Sequence, residues 1–190
     1  PLRQRFGQAA YTRATDGVLN VLVMGGSQGA LALNETVPRA VAACISAGIA
    51  LRVVHQTGSD KDPLVRGLYA ELGIADAVTV TTFIDDVAAA LATADVVIER
   101  AGAASLGELT AVGRAAILIP YPYAADDHQR HNAESLVRDG AAVCVTQSDA
   151  TVERLSAELS RLCRNHDERA AMARAAAERG RPDAARAVAL

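Results

Sequence analysis

Three clusters of residues have the types and spacing to act on a phosphorylated ligand. The first is Gly25-Gly26-Ser27-Gln28-Gly29-Ala30, which follows the apolar run 18–24. Glycines at such a place let main-chain N–H groups approach a ligand closely, and the helix expected from residue 29 turns a positive end towards it. A phosphate or diphosphate is the natural guest. The order is not GxGxxG, because Ser27 stands two places after Gly25, and it is not GxxxxGK[ST], because no Lys-Ser/Thr pair follows. Dinucleotide binding and P-loop hydrolysis therefore lose support. Taken alone, the loop is also compatible with a tight turn that binds nothing.

The second cluster, Arg100-Ala101-Gly102-Ala103-Ala104-Ser105-Leu106-Gly107-Glu108, stands directly after the apolar run 96–98. Gly102 and the small residues after it open a second helix N-terminus, and Glu108 falls about a turn and a half into that helix. A carboxylate there can accept both hydroxyls of a ribose while the N-terminal amides face its phosphates. By itself Glu108 is equally a solvated helix residue. Glu99, just before the cluster, reads as a strand-end charge without ligand contact.

The third cluster is Asp126-Asp127-His128-Gln129-Arg130-His131-Asn132-Ala133, after Pro120-Tyr121-Pro122-Tyr123. Its amide and imidazole groups suit sugar hydroxyls, although such side chains in a polar loop are commonly just solvated. Two shorter segments sit at similar places. His55-Gln56-Thr57-Gly58 is placed to line a cleft, and Phe83-Ile84-Asp85-Asp86 to receive a base, with Asp85 expected to cap a helix. His128 and His131 lack an obvious third ligand beyond Asp126 and Asp127, so no metal is expected. Ser27 stands in GGSQG and not in GxSxG, which removes the hydrolase elbow.

The elements that must carry these clusters follow from periodicity. Short apolar runs at 18–24, 51–55, 78–82, 96–98, 116–119 and 142–145 alternate with Ala-rich amphipathic stretches at about 29–47, 62–72, 86–93, 103–112, 127–138, 151–164 and 167–179. Strands alternating with helices imply an α/β fold with a parallel six-stranded sheet, and right-handed crossovers place helices on both faces. Ligands of such sheets bind beyond the carboxyl ends of the strands, where all three clusters fall. Residues 1–17 read as a linker tail, and 18–190 as one ligand-binding domain that includes the C-terminal helices.

Composition narrows the partners. A chain of 190 residues with 51% hydrophobic content suits a single well-buried domain. The net charge of -3 offers no basic surface for nucleic acid. Cys44, Cys144 and Cys163 have neither CxxC nor Cys/His ligand spacing and read as thiols of a reducing cytosol. No apolar run nears the roughly 20 residues of a membrane span, and no signal-peptide pattern opens the chain. A cytoplasmic protein is expected. Pro1 in place of Met leads to the expectation of a domain upstream.

Read together and in order, GGSQGA, HQTG, FIDDVAAALATADVVIERAGAASLGEL and PYPYAADDHQRHNA closely resemble the C-terminal domain of the MurG family. These transferases add N-acetylglucosamine to undecaprenyl-diphosphoryl-muramoyl-pentapeptide, making lipid II for peptidoglycan. The resemblance implies a Rossmann-like half of a GT-B glycosyltransferase that binds UDP-N-acetylglucosamine without cofactor or metal. It assigns Ser27 to the donor, Ile84 to the uracil, Ala103, Ala104, Ser105, Leu106, Gly107 and Glu108 to diphosphate and ribose, and Gln129 to the sugar. Gly26, Gln28, Gly29, Phe83, Arg100 and His128 are further candidates, and Pro1-Leu2-Arg3 resembles the tail of a GNPxR segment, making Arg3 a phosphate candidate.

Ala101 stands where Ser is frequent, and one residue is inserted between Pro120 and Asn132 relative to some members, which leaves Asp127, His128 and Gln129 as alternatives at the sugar. The acceptor site, the catalytic base and the surface that docks on the inner face of the cell membrane are implied for an N-terminal domain. A separate-subunit transferase half, a UDP-sugar epimerase and a non-enzymatic UDP-sugar-binding domain are the alternative readings. Bulk in the first loop separates a ligand site from a turn: Gly29→Val is expected to lose UDP affinity in a titration while the domain stays folded, and unchanged affinity would leave the loop as a turn.

Overall fold

The computed structural model describes Tyr11, residues 16–26 and residues 30–180. Six strands form one parallel sheet: β1 (Leu19–Met24), β2 (Leu51–Gln56), β3 (Val78–Thr81), β4 (Val96–Glu99), β5 (Ala115–Leu118) and β6 (Val143–Cys144), in the order β3-β2-β1-β4-β5-β6. Among the described residues seven helices connect and cover them: α1 (Leu31–Ser46), α2 (Asp62–Glu71), α3 (Val87–Thr93), α4 (Ala103–Val112), α5 (His128–Arg138), α6 (Val152–Arg164) and α7 (His166–Arg179). The central strands are apolar almost throughout because both of their faces are covered. Val96 and Ile98 enter the core beneath α1 and α6, whereas Val97 enters the one beneath α3, α4 and α5. Helices on both faces, with this strand order, make the expected Rossmann-like architecture.

The observed elements match the periodicity to within one or two residues. Two short 3₁₀ turns, Ala75–Ala77 and Ala125–Asp127, carry no periodic signal and are additional. The cap of α3 is a correction: Asp86, and not Asp85, accepts the Ala89 N–H at 3.0 Å. Thr151 caps α6 as expected, accepting from the Arg154 N–H. Tyr11, within the segment read as a linker tail, is anchored, its hydroxyl donating to Asp95 at 2.7 Å. The rest of residues 1–15, and residues 181–190, lie outside the described part.

At the edge where the strands begin, two buried arginines gather helix C-termini. Arg114 donates from Nε to the Leu91 carbonyl, from Nη2 to Ala92 and from Nη1 to Gly113, so the ends of α3 and α4 share one guanidinium. Arg169 does the same for the Leu162 and Cys163 carbonyls of α6. Last-turn carbonyls lack partners inside their own helices, and a cation there also opposes the negative end of the dipole.

His55 is a second correction, since it does not line a cleft. The ring is wholly buried between α1 and α2. Asn34 Nδ2 donates to the Thr57 carbonyl, which fixes Asn34 Oδ1 as acceptor of His55 Nε2–H at 3.1 Å. His55 Nδ1 then accepts from the Tyr69 hydroxyl at 2.9 Å, and a charged ring has no place. Burial holds its pKa down at about 4. Followed by its NMR ring resonances, His55 is expected to stay at one chemical shift from pH 8 to about 5 and to move only near pH 4. A midpoint near 6.5 would show a solvated ring.

Candidate functional site

The strands end at one level. Gln56 lies beside Met24 and Thr81, Glu99 beside Met24 and Leu118, and Cys144 beside Leu118. Between β1 and β4 the chain turns away in opposite directions, to α1 on one face and to α4 on the other, which opens a crevice at that seam. Gly25 and Gly26 form its β1 lip, and Arg100, Ala101 and Gly102 form its β4 lip.

The β1 lip is held by a residue whose part the sequence did not disclose. Gln56 extends the ladder with its side chain: Oε1 accepts the Gly26 N–H at 3.1 Å, and Nε2 donates to the carbonyls of Gly26 and Thr82, each at 3.0 Å. Gly26 has φ +76°, a conformation glycine adopts without the cost a side chain would bring, and a Cβ there would meet nothing within 4 Å. Among the described residues nothing occupies the space a side chain would take there. Ser27, Gln28 and Gly29 lie outside the described residues.

The β4 lip carries the N-terminus of α4. Gly102 is its N-cap and supplies no side chain, so the first N–H groups, from Ala103, Ala104 and Ser105, have no side-chain cap. Ala103 and Ala104 are exposed, Gly107 and Glu108 half-buried. Leu106 is different, because its side chain belongs to the core beneath α4 and leaves only its main chain to face a ligand. Arg100 is engaged with the protein: Nη1 donates to the carbonyls of Ile119 and Pro120, Nη2 to Gln147 Oε1, and the guanidinium lies 5.5 Å from the Tyr121 ring centre. It ties the loops after β4, β5 and β6 into one rim.

Glu99 is the second residue whose part was missed, and a further correction. It is no solvated strand-end charge. The residue is fully buried, and among the described residues neither carboxylate oxygen has a hydrogen-bond partner. Burial first, and then the charge of Glu108, push its pKa up to about 8.

Around the crevice, Phe83 is half exposed and Ile84 is packed against the core beneath α4. Thr81 donates to the Phe83 carbonyl at 2.7 Å and fixes that turn. On the far side Gln129 Oε1 accepts the Tyr121 N–H at 3.0 Å, and His128 Nδ1 meets the Ala125 carbonyl at 2.7 Å, so both also brace their own loop. Asn132 donates to the Ala101 carbonyl and links α5 to the β4 lip. Arg3 lies outside the described residues. Among the described residues no group of three or more His, Cys, Asp or Glu is placed to hold a metal, and no helix is long and apolar enough to cross a membrane.

Residues 20–188 match the glycosyltransferase family 28 C-terminal domain. The chain belongs to that family. A relative from Sorangium cellulosum (strain So ce56), a UDP-N-acetylglucosamine-N-acetylmuramyl-(pentapeptide) pyrophosphoryl-undecaprenol N-acetylglucosamine transferase, is 58% identical over 189 residues, covering 100% of this chain and 46% of the relative. One with the same description from Hahella chejuensis (strain KCTC 2396) is 46% identical over 168 residues, 88% of this chain and 46% of the relative. The crystal structure of Acinetobacter baumannii MurG superposes with a TM-score of 0.83 at 38% identity, over 92% of this chain and 49% of that one. This family 28 domain thus spans about half the length of the relatives it matches.

In the family 28 domain the β1 lip depends on one side chain, which gives a direct test. Gln56→Ala removes three hydrogen bonds of about 1 kcal/mol each. Amide exchange of Gly26 is expected to quicken at least about tenfold while that of central β1 amides changes less. Equal protection of Gly26 in both proteins would mean that Gln56 does not hold the lip.

Proposed function

We propose that this chain is the donor-binding half of an inverting N-acetylglucosaminyltransferase that moves N-acetylglucosamine from UDP to lipid I, forming lipid II. The observation that carries the reading is the uncapped N-terminus of α4 opening across the β1–β4 seam from Gly25-Gly26, with Glu108 on the same helix. The N–H groups of the first turn of α4, which no side chain caps, suit a diphosphate in that crevice, and family membership and the named activity of the relatives supply the sugar nucleotide.

In this reading Ala103, Ala104 and Ser105 offer main-chain N–H groups to the diphosphate, as do Ser27, Gln28 and Gly29 in the first loop. Glu108 accepts the ribose hydroxyls, Ile84 and Phe83 receive the uracil, and Gln129, with His128 beside it, approaches the sugar. When the acceptor hydroxyl attacks the anomeric carbon, negative charge grows on the departing diphosphate. Fixed N–H dipoles stabilise that charge without reorganising and without a metal. The acceptor site, the general base and the contact with the cytoplasmic face of the membrane are assigned to the part of the relatives that this chain does not match. Arg3 is placed at the phosphates on the strength of its motif.

The ribose contact is the most specific element. Hydrogen bonds to a charged group contribute about 1.5–3 kcal/mol each, so Glu108→Ala should weaken UDP by about 2–4 kcal/mol, roughly 30-fold to 1000-fold. Exposed Glu71 on α2 is the control, and Glu71→Ala should change affinity less than about threefold. Calorimetric titrations with UDP and 2′-deoxy-UDP, run in EDTA because no metal is required, decide the matter. Wild type should lose affinity for the deoxy ligand and Glu108→Ala should barely distinguish the two. Equal discrimination by both proteins would remove Glu108 from the ribose.

A further inference from the structure

Along β4 the side chains alternate, and Glu99, two places after Val97, faces the core beneath α3, α4 and α5. In the sheet its neighbours on that face are Met24 of β1 and Leu118 of β5. The helices above contribute Val87 and Leu91 from α3, Leu106 and Leu109 from α4, and Ala133 and Leu136 from α5. Arg100, next in sequence, is turned to the Ile119 and Pro120 carbonyls and does not neutralise it. The charged group that acts on Glu99 is Glu108 of α4.

A buried carboxyl with two unpartnered oxygens costs a few kcal/mol relative to an apolar residue of the same shape. A fold that keeps one directly beneath a ligand-binding helix calls for a use. The ionised form is poorly tolerated among these apolar groups beside a second carboxylate, and the group is pushed up to about 8, so at neutral pH it is the acid. An acid has one O–H to give. Glu108, on the helix that covers Glu99 and with a charge that acts on it, is the carboxylate to receive it, and two carboxyls sharing one proton form a short, strong, charge-assisted bond.

We infer that Glu99 is a positioning residue for the donor: as a neutral acid it donates its O–H to the Glu108 carboxylate in the liganded state and holds Glu108 towards the ribose. The inference rests on the donor reading above. Glu108 keeps its negative charge, and with it the capacity to accept from the two hydroxyls. Loss of the shared proton leaves two negative groups side by side, and Glu108 is driven out of position.

The test is UDP affinity of this chain between pH 6.5 and 9, measured calorimetrically for wild type, Glu99→Gln and Glu99→Leu. Gln keeps a donor that does not titrate, so Glu99→Gln should match wild type at pH 7 within about threefold. Across pH 8 the wild type should weaken by about tenfold relative to Glu99→Gln, a ratio in which ionisation of UDP itself cancels. Glu99→Leu should bind about tenfold more weakly at pH 7, with no pH dependence beyond that of Glu99→Gln. Identical profiles for wild type and Glu99→Gln, or full affinity in Glu99→Leu, would overturn the positioning role alone. Failure of the wild type to bind UDP at pH 7 would overturn the donor reading and this inference with it. The carboxyl carbon resonance of Glu99 needs no variant: it should report the protonated form at pH 7, and an ionised group there overturns the inference.

Discussion

Between β1 and β4 the parallel ladder sets Val21 beside Val96 and Met24 beside Glu99, and the site hangs from that seam. Because the chain leaves β1 for one face and β4 for the other, a crevice opens between their ends. A shift of the register by one residue would turn Glu99 from the α4 side to the α1 side. It would also lift Gly25-Gly26 out of level with the N-terminus of α4. The buried Asp95 guards this pairing at its other end, where it accepts the Asn20 N–H at 2.7 Å.

Polar groups are buried at the seam in unequal ways. Gln56 and His55 are satisfied on every side the structure shows, and they stiffen the sheet. Glu99 is not satisfied, and it lies where the ligand is expected. The two titratable groups bear on stability with opposite sign. His55, held down at about 4, destabilises the fold as pH falls from 6.5 through 4, since the unfolded chain takes up the proton first. Glu99, pushed up to about 8, destabilises it as pH rises from 4.5 through 8, since the unfolded chain releases its proton first. Unpartnered burial of this kind costs stability at every pH at which the group is ionised.

Strands, helices and their parallel arrangement were legible because apolar runs and 3.6-residue periodicity report directly on which faces are covered. The loops at the strand ends were legible because Gly25-Gly26 and Gly102 stand where a run stops and a helix starts. What stayed hidden depends on contacts distant in sequence. Gln56 reaches Gly26, thirty residues back, and nothing local announces it. His55 looked free because its partners, Asn34 and Tyr69, belong to two different helices. Glu99 follows three apolar residues and does end the strand, but its burial comes from the helices that cover that end, which are distant in sequence. Asp85 and Asp86 are chemically equal caps, and only the geometry of the turn chooses between them.

The arginines at the opposite edge bear on how fast an anion arrives. Arg114 and Arg169 occupy the carbonyl ends of α3, α4 and α6, so the negative poles of those helices are opposed within the protein. The positive pole of α4 at the crevice carries no such counterweight from a capping side chain. In a chain of net charge -3, that exposed helix pole is a local attraction for an anion at the mouth of the crevice. Encounter with a diphosphate would be steered over about a Debye length, roughly 10 Å at 0.1 M salt, and would slow as ionic strength rises.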